Sequence, residues 1–253
     1  MKEIVNYFFD SYPTVLKCDD ISGNVIATTD SIKDVLNIYM AYVSKIVKEH
    51  YINDYEEEMT IKGKQDKVKE KVLNIIWNYI LKSLCIKIYD SSPLEIDALF
   101  TLKCVSYSSF VKPQNFKISR EFCDENILDK VKYHLKKMDK KRTPEGMNQE
   151  FGKAVGLISS MYKFYLNQTQ TEAGDMLPFI IYSIVSIKPK RIVFNVCFSK
   201  YFCSESEEKG NFGYNMTQAE SAIKYINKLD AKTLGFTEKE YNENVLRIAT
   251  INI

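Results

Sequence analysis

Apolar residues along the 253-residue chain recur mostly at three- and four-residue steps, the spacing that lines one face of an α-helix. From Ser31, the positions Ile32, Val35, Leu36, Tyr39, Val43, Ile46 and Val47 follow this rule, with Asp30 or Ser31 able to cap the start. A charged stretch over residues 52–71 reads as a solvated connection running into a helix start, after which Val68, Val72, Ile75, Ile76, Tyr79 and Ile80 resume the period. Ser92-Pro93-Leu94-Glu95 sets a capping residue, a proline at the first helical position and a glutamate three residues beyond the serine, a reciprocal capping box that predicts a helix over about 93–106. Pro113 marks a loop. Asp124 to Met138 predicts the next helix, with Ile127, Leu128, Val131, Leu135 and Met138 inward, and Thr143-Pro144 opens another that runs through Phe151, Leu157, Ile158, Met161 and Tyr165.

The C-terminal third departs from this amphipathic pattern. In AGDMLPFIIYSIVSIKP, residues 173–189, Asp175 stands three residues before Pro178 and an almost wholly apolar run. The run from Met176 to Ile187 falls short of the roughly 20 residues a bilayer-spanning helix needs. It therefore predicts a buried helix, with Asp175 as its cap and Pro178 in its first turn, where the missing amide hydrogen costs nothing. The β-branched run RIVFNVCF, residues 191–198, is assigned to a helix because a lone strand has nothing to pair with. Thr217-Gln-Ala-Glu220 repeats the capping-box pattern ahead of Ala222, Ile223, Ile226 and Leu229, with Tyr214 packing nearby. The expected fold is all-α: an N-terminal helical bundle over residues 1–112, then a multi-helical domain over 113–253, packed together, with the boundary near Lys112-Pro113.

Composition narrows the chemistry. With 35 Lys and Arg against 33 Asp and Glu, the net charge of +2 gives no footprint for nucleic acid or for an anionic membrane. Cys18, Cys85, Cys104, Cys123, Cys197 and Cys203 form no CxxC pair and no signal peptide precedes them, so they are expected as thiols of a cytosolic protein. His50 and His134 lack partners at zinc-site spacing, so no metal is expected. No phosphate-binding glycine loop follows a strand and no nucleophile elbow is present. No cofactor is expected, and hydrolase chemistry has no recognisable residues to rest on.

Taken in order, the A-x-D-x-L-P-x-x-I-Y-x-x-x-x-x-x-P block, NVCFSKYF, a glycine-containing loop ending G-Y-x-x-T and AIKYINKLDAKTLGFTEKEY resemble the catalytic domain of the vacuolar protein sorting nine family. These are guanine-nucleotide exchange factors for Rab GTPases of the early endosome. Upstream, LKSLCIKIYDSSPLEIDALFTL and DKVKYHLKKMDKKRTPEGMNQEFGKAVGLISSMY are similar to the helices that accompany the domain. The resemblance covers about Val72 to Glu243.

It implies an all-helical protein that grips the switch regions of a Rab-family GTPase and promotes GDP release in endocytic trafficking, as a cytoplasmic protein peripherally associated with endosomes. A carboxylate placed near the nucleotide pocket would compete with phosphate oxygens for the GTPase's lysine and its magnesium site. Residue by residue, Asp175 matches the second carboxylate of the family's D-D-x-L-P pair and Pro178 its proline. Tyr214 and Thr217 match the switch-contacting pair of G-Y-x-x-T, and Asn195 matches an asparagine before the next helix. Gly174 stands where the first carboxylate, the usual acidic finger, is expected. Asp175 is then the only acid left of the pair, one residue and about 100° away, unless Gly174 adopts a positive φ and shifts the register. Glu172 is a further candidate. Asn211 stands where the loop often has glutamate, and Asn215 where a second aromatic is common.

Overall fold

Helix starts depend on which side chains can satisfy the first amides, and the computed structural model resolves where this happens. It describes residues 16–18, 25–27, 36–37, 40–41, 44–45, 62–91, 95–119, 124–166, 173–203 and 205–251. Two compact units divide the chain: Met1–Lys17 with Ile26–Ser92, and Cys18–Val25 with Pro93–Ile253.

In the first unit, residues 36–37, 40–41 and 44–45 are helical and Leu36 is buried, as the period from Ser31 requires. Helix α1 spans Lys62–Ser91 and buries Ile80, Leu81, Leu84 and Cys85. It starts inside the charged stretch, so residues 62–71 are helix and not connection, consistent with the good helix propensity of Lys, Gln and Glu. Elsewhere in the chain, β1 (Leu16–Cys18) pairs with β2 (Val25–Ala27), a short ladder the helical pattern does not announce.

The second unit runs through α2 (Glu95–Ser108), a 3₁₀ turn at Pro113–Phe116, α3 (Glu125–Asp139), α4 (Pro144–Leu166), α5 (Ala173–Ile187) and α6 (Ile192–Phe202). It ends with the short α7 (Glu205–Glu208), α8 (Asn211–Asn227) and α9 (Glu238–Ile251). The all-α expectation holds for this unit. The side chain of Asp124 caps α3, accepting from the Asn126 and Ile127 amides at 2.9 and 3.3 Å. Residues 92–94, which carry the serine of the first capping box, lie outside the described residues. The second box is not used: α8 begins at Asn211 with Gly210 as its cap, so Thr217 lies in the helix interior. The run at 191–198 is helical, within α6.

Helix α5 is apolar on nearly every side because it is packed on nearly every side, against α2, α3, α4 and α8. Met176, Phe179, Ile180, Ile181, Ile184 and Val185 are all buried. Helix α6 is buried still more completely, with every residue from Ile192 to Ser199 below the surface. Its first amides therefore cannot reach water and need partners from the protein. Asp97 of α2 accepts from Val193 and Phe194 at 3.0 and 3.1 Å, and Asp139 at the end of α3 accepts from Lys190 and Arg191 at 2.9 and 2.8 Å. Helix α2 also closes the far end of α8, where Lys103 Nζ donates to the Asn227 carbonyl at 3.2 Å and Tyr107 Oη to the Leu229 carbonyl at 3.1 Å.

Burial raises the Asp97 carboxyl to about 7 even though the two amides pull it down, and burial raises Asp139 as well. A carboxyl that binds its proton more tightly when folded loses stabilising influence as the pH climbs from its ordinary value towards its folded one. The Asp97 contribution should thus fall between about pH 4 and pH 7, by on the order of 4 kcal/mol. Asp97→Asn cannot ionise, and its NH2 group puts a donor where one of the two acceptor oxygens stood. It should cost about 1–3 kcal/mol near pH 5, and urea unfolding at stepped pH should show wild type and variant converging as the pH approaches 7.

Candidate functional site

The six residues singled out by the sequence fall in four places. Gly174 and Pro178, with Leu177 and Ile181, line a cavity of ≈ 170 Å³ whose other wall includes Phe116 and Tyr225. Gly174, Pro178 and Ile181 share one face of α5 by their i, i+4, i+7 spacing. Tyr225 was not anticipated. It is 39% exposed and stands on the same face of α8 as Tyr214, which is 42% exposed, and the exposed Thr217. By helical rise, Tyr214 lies about 16 Å along α8 from Tyr225. The signal that could have found Tyr225 was the spacing 214, 217, 221, 225.

Asp175 lies elsewhere. It is in the first turn of α5 and not at the cap, because the helix starts at Ala173. It is half-buried towards α4: its backbone carbonyl accepts from Tyr162 Oη at 2.8 Å, and Tyr162 packs edge-on against Phe179, four residues further along α5. Burial, followed by the charge of Asp175, pushes the Tyr162 phenol above its ordinary value. Gly174 takes no positive φ, so no left-handed residue shifts the register and Asp175 stays about 100° round the helix from the cavity face.

Pro178 is the sixth residue of α5 and not part of its first turn. Its missing N–H leaves the Gly174 carbonyl without a helical donor, and proline rings crowd the carbonyl four residues back. Helix α5 therefore starts two residues before the sequence-level cap and carries the proline inside.

Asn195 belongs to the core. It is the fourth residue of α6 and not a residue before a helix, has no accessible surface, and donates from Nδ2 to the Met138 carbonyl at 3.3 Å. In this structure it ties α6 to α3 and faces no partner. Asn215 is buried too, donating from Nδ2 to Asn148 Oδ1 at 2.9 Å where α8 passes close to α4. A Cβ on Gly152 would come within 2.9 Å of that Nδ2, which leaves no room for an aromatic ring. Asn211 is exposed at the start of α8. Glu172 lies outside the described residues.

Among the described residues no group of three His, Cys, Asp or Glu side chains could hold a metal ion. No described helix is long and apolar enough to cross a membrane. Cys85, Cys104, Cys197 and Cys203 are buried thiols, and burial raises Cys104 to about 12. The described site residues thus form an apolar hollow on α5 and an exposed aromatic ridge on α8.

Residues 128–231, from α3 through α8, match the vacuolar sorting protein 9 domain. A Rab5 GDP/GTP exchange factor of Bos taurus is 26% identical over 206 residues, spanning 79% of this chain and 42% of that protein. Its Homo sapiens counterpart is 25% identical over 76% of this chain and 40% of its own length. Vacuolar protein sorting-associated protein 9A of Arabidopsis thaliana is 22% identical over 66% of this chain and 33% of its own length. Residues 128–231 belong to the vacuolar sorting protein 9 domain family, as the sequence resemblance implied. The chain spans well under half the length of these relatives.

Two glycines of the site region should respond in opposite directions. A Cβ on Gly213 would lie 1.8 Å from the Glu208 carbonyl oxygen, whereas one on Gly174 meets nothing within 4 Å. Gly213→Ala should lower stability by about 1–3 kcal/mol through forced displacement of backbone. Gly174→Ala should raise it by about 0.5–1 kcal/mol through the better helix former. Thermal unfolding of the two variants measures both.

Proposed function

We propose that the chain promotes GDP release from a Rab-family GTPase of the early-endosomal branch, acting in endocytic vesicle traffic as a peripheral component of endosomes. Residues 113–253 would be the exchange domain and residues 1–112 the helical bundle preceding it. The observation that carries this is the apolar hollow at Gly174, Pro178 and Ile181 beside the exposed Tyr225, Tyr214 and Thr217 face of α8, within a stretch matching the vacuolar sorting protein 9 domain. Relatives named as Rab5 GDP/GTP exchange factors align over three quarters of the chain.

An exchange factor forms no covalent bond; it binds the nucleotide-free GTPase more tightly than the GDP-bound one, and release follows from that difference. The switch regions would bury their apolar and aromatic side chains against the α5 hollow and the α8 ridge. Asp175 would supply the negative charge that competes with phosphate and magnesium.

A second reading, a catalytically weak GTPase-binding module, is favoured by one observation. The groove is lined by Gly174 and not by Asp175, whose backbone carbonyl is held by Tyr162. Fluorescent-GDP release from a panel of Rab GTPases separates the two. If exchange is the activity, the chain accelerates release from an early-endosomal Rab, and Asp175→Ala and Tyr214→Ala each reduce the rate at least about tenfold, a loss on the order of 1.4 kcal/mol. If the weak module is correct, the chain binds nucleotide-free Rab without acceleration, and Gly174→Asp confers it. Absence of binding to every Rab refutes both.

A further inference from the structure

We propose that the outward face of α3 docks on an anionic membrane surface. The whole-chain charge of +2 conceals a strong local imbalance: residues 130–142 hold seven of the 35 basic groups and one of the 33 acids. With Leu128, Val131, Leu135 and Met138 buried, the opposite stripe of α3 presents Tyr133, Lys136, Lys137 and Lys140, spaced by three and four residues. Tyr133 is 55% exposed, Lys130, Lys136 and Lys140 are exposed, and Lys137 Nζ lies 5.1 Å from the centre of the Tyr133 ring. The Lys190 amide bound to Asp139 at 2.9 Å brings the exposed Lys188 and Lys190 to the same end of the helix.

The nearby acids do not neutralise this face. Asp139 turns its carboxylate to the Lys190 and Arg191 amides, Asp129 pairs with Lys132 at 3.5 Å, and Glu150 is buried against His134 and Lys153 at 2.8 and 3.1 Å, with Lys141 at 3.8 Å, so that Lys132 and Lys141 are paired while Lys136 and Lys140 form no ion pair among the described residues. Burial alone would raise the Glu150 carboxyl, but these two partners hold it below its ordinary value, so it stays charged inside its own pairs.

The chemistry favours lipid over nucleic acid. Six of the seven cations are lysines, compact charges on flexible stems that suit a diffuse anionic plane, whereas phosphate forks are the work of arginine. The one arginine, Arg142, spends its guanidinium on the Asp139 and Lys141 carbonyls at 3.4 and 2.9 Å. A tyrosine with an apolar body and a polar tip at the start of the stripe fits the headgroup boundary. The Lys188 end of the face lies about 20 Å from Gly174 by the helical rise of α5, and no residue of the α3 stripe lines the candidate groove, so the proposal does not rest on the exchange reading.

Co-sedimentation of the full chain with vesicles of phosphatidylcholine alone, and of phosphatidylcholine with one-third phosphatidylserine, tests this. Binding is expected only with phosphatidylserine and should weaken as salt rises. Lys136→Glu with Lys140→Glu should weaken it at least about tenfold with unchanged thermal unfolding. Tyr133→Ala should weaken it severalfold while leaving the salt dependence intact. Equal sedimentation with both vesicles, undiminished binding by the double variant, or retention of a single-stranded RNA probe without vesicle binding would each overturn the proposal.

Discussion

The second unit is organised around backbone amides that cannot reach water. Residues 192–199 of helix α6 are buried, so the amides of Val193 and Phe194, and that of Arg191 just ahead of the helix, must find acceptors inside the protein, where an unpaired amide would cost on the order of 1–3 kcal/mol. Two carboxylates from different helices meet that requirement, Asp97 from α2 and Asp139 from the end of α3. Each is also at the N-terminus of a helix dipole, which favours negative charge. Desolvation opposes that charge and wins, since both carboxyls are raised. The arrangement fixes α2 and α3 to the start of α6 and so defines the walls between which α5 is packed.

The candidate site inherits its geometry from that packing. Helix α5 has no free rotation about its axis, because Met176, Phe179, Ile180 and Ile184 occupy core positions around most of its circumference. Gly174, Leu177 and Pro178 are what remains on the open side, with the buried Ile181 at the floor of the hollow. On α8, Phe212, Met216, Ala219, Ile223 and Ile226 are buried, which turns Tyr214, Thr217 and Tyr225 outward by periodicity alone.

The helices with one apolar face were legible from spacing: α3 with its Asp124 cap and α4 from Pro144 stand within a residue or two of the expected bounds. What spacing missed were features set by contacts distant in sequence. Asp97 looks like an ordinary first-turn acid until α6 is placed against it 96 residues later. Thr217 and Glu220 imitate a capping box, yet Glu220 pairs with Lys200 of α6 and Lys224 of α8. The true start of α8 runs through Gly213, a poor helix former retained where the Glu208 carbonyl leaves no space for a side chain. The net charge is silent on surface patches for a related reason: a sum over the chain carries no information about which face the lysines share.

The register of α5 decides whether the acid beside Pro178 can serve the groove. Turning α5 by the 100° that separates Asp175 from Gly174 would drag four core side chains out of place, at a cost of several kcal/mol. Unwinding the first turn is the cheaper route. Pro178 has already removed one of the hydrogen bonds that would hold that turn, and glycine at 174 resists extension less than any other residue. Against it stand the Tyr162 hydrogen bond to the Asp175 carbonyl and the burial of Met176. A single neutral hydrogen bond contributes about 1 kcal/mol, well within what a tightly held GTPase surface supplies. On the proposed exchange reading, presenting Asp175 to a GTPase would require local unwinding of this turn, and the proline inside the helix makes it the turn with the fewest hydrogen bonds to lose.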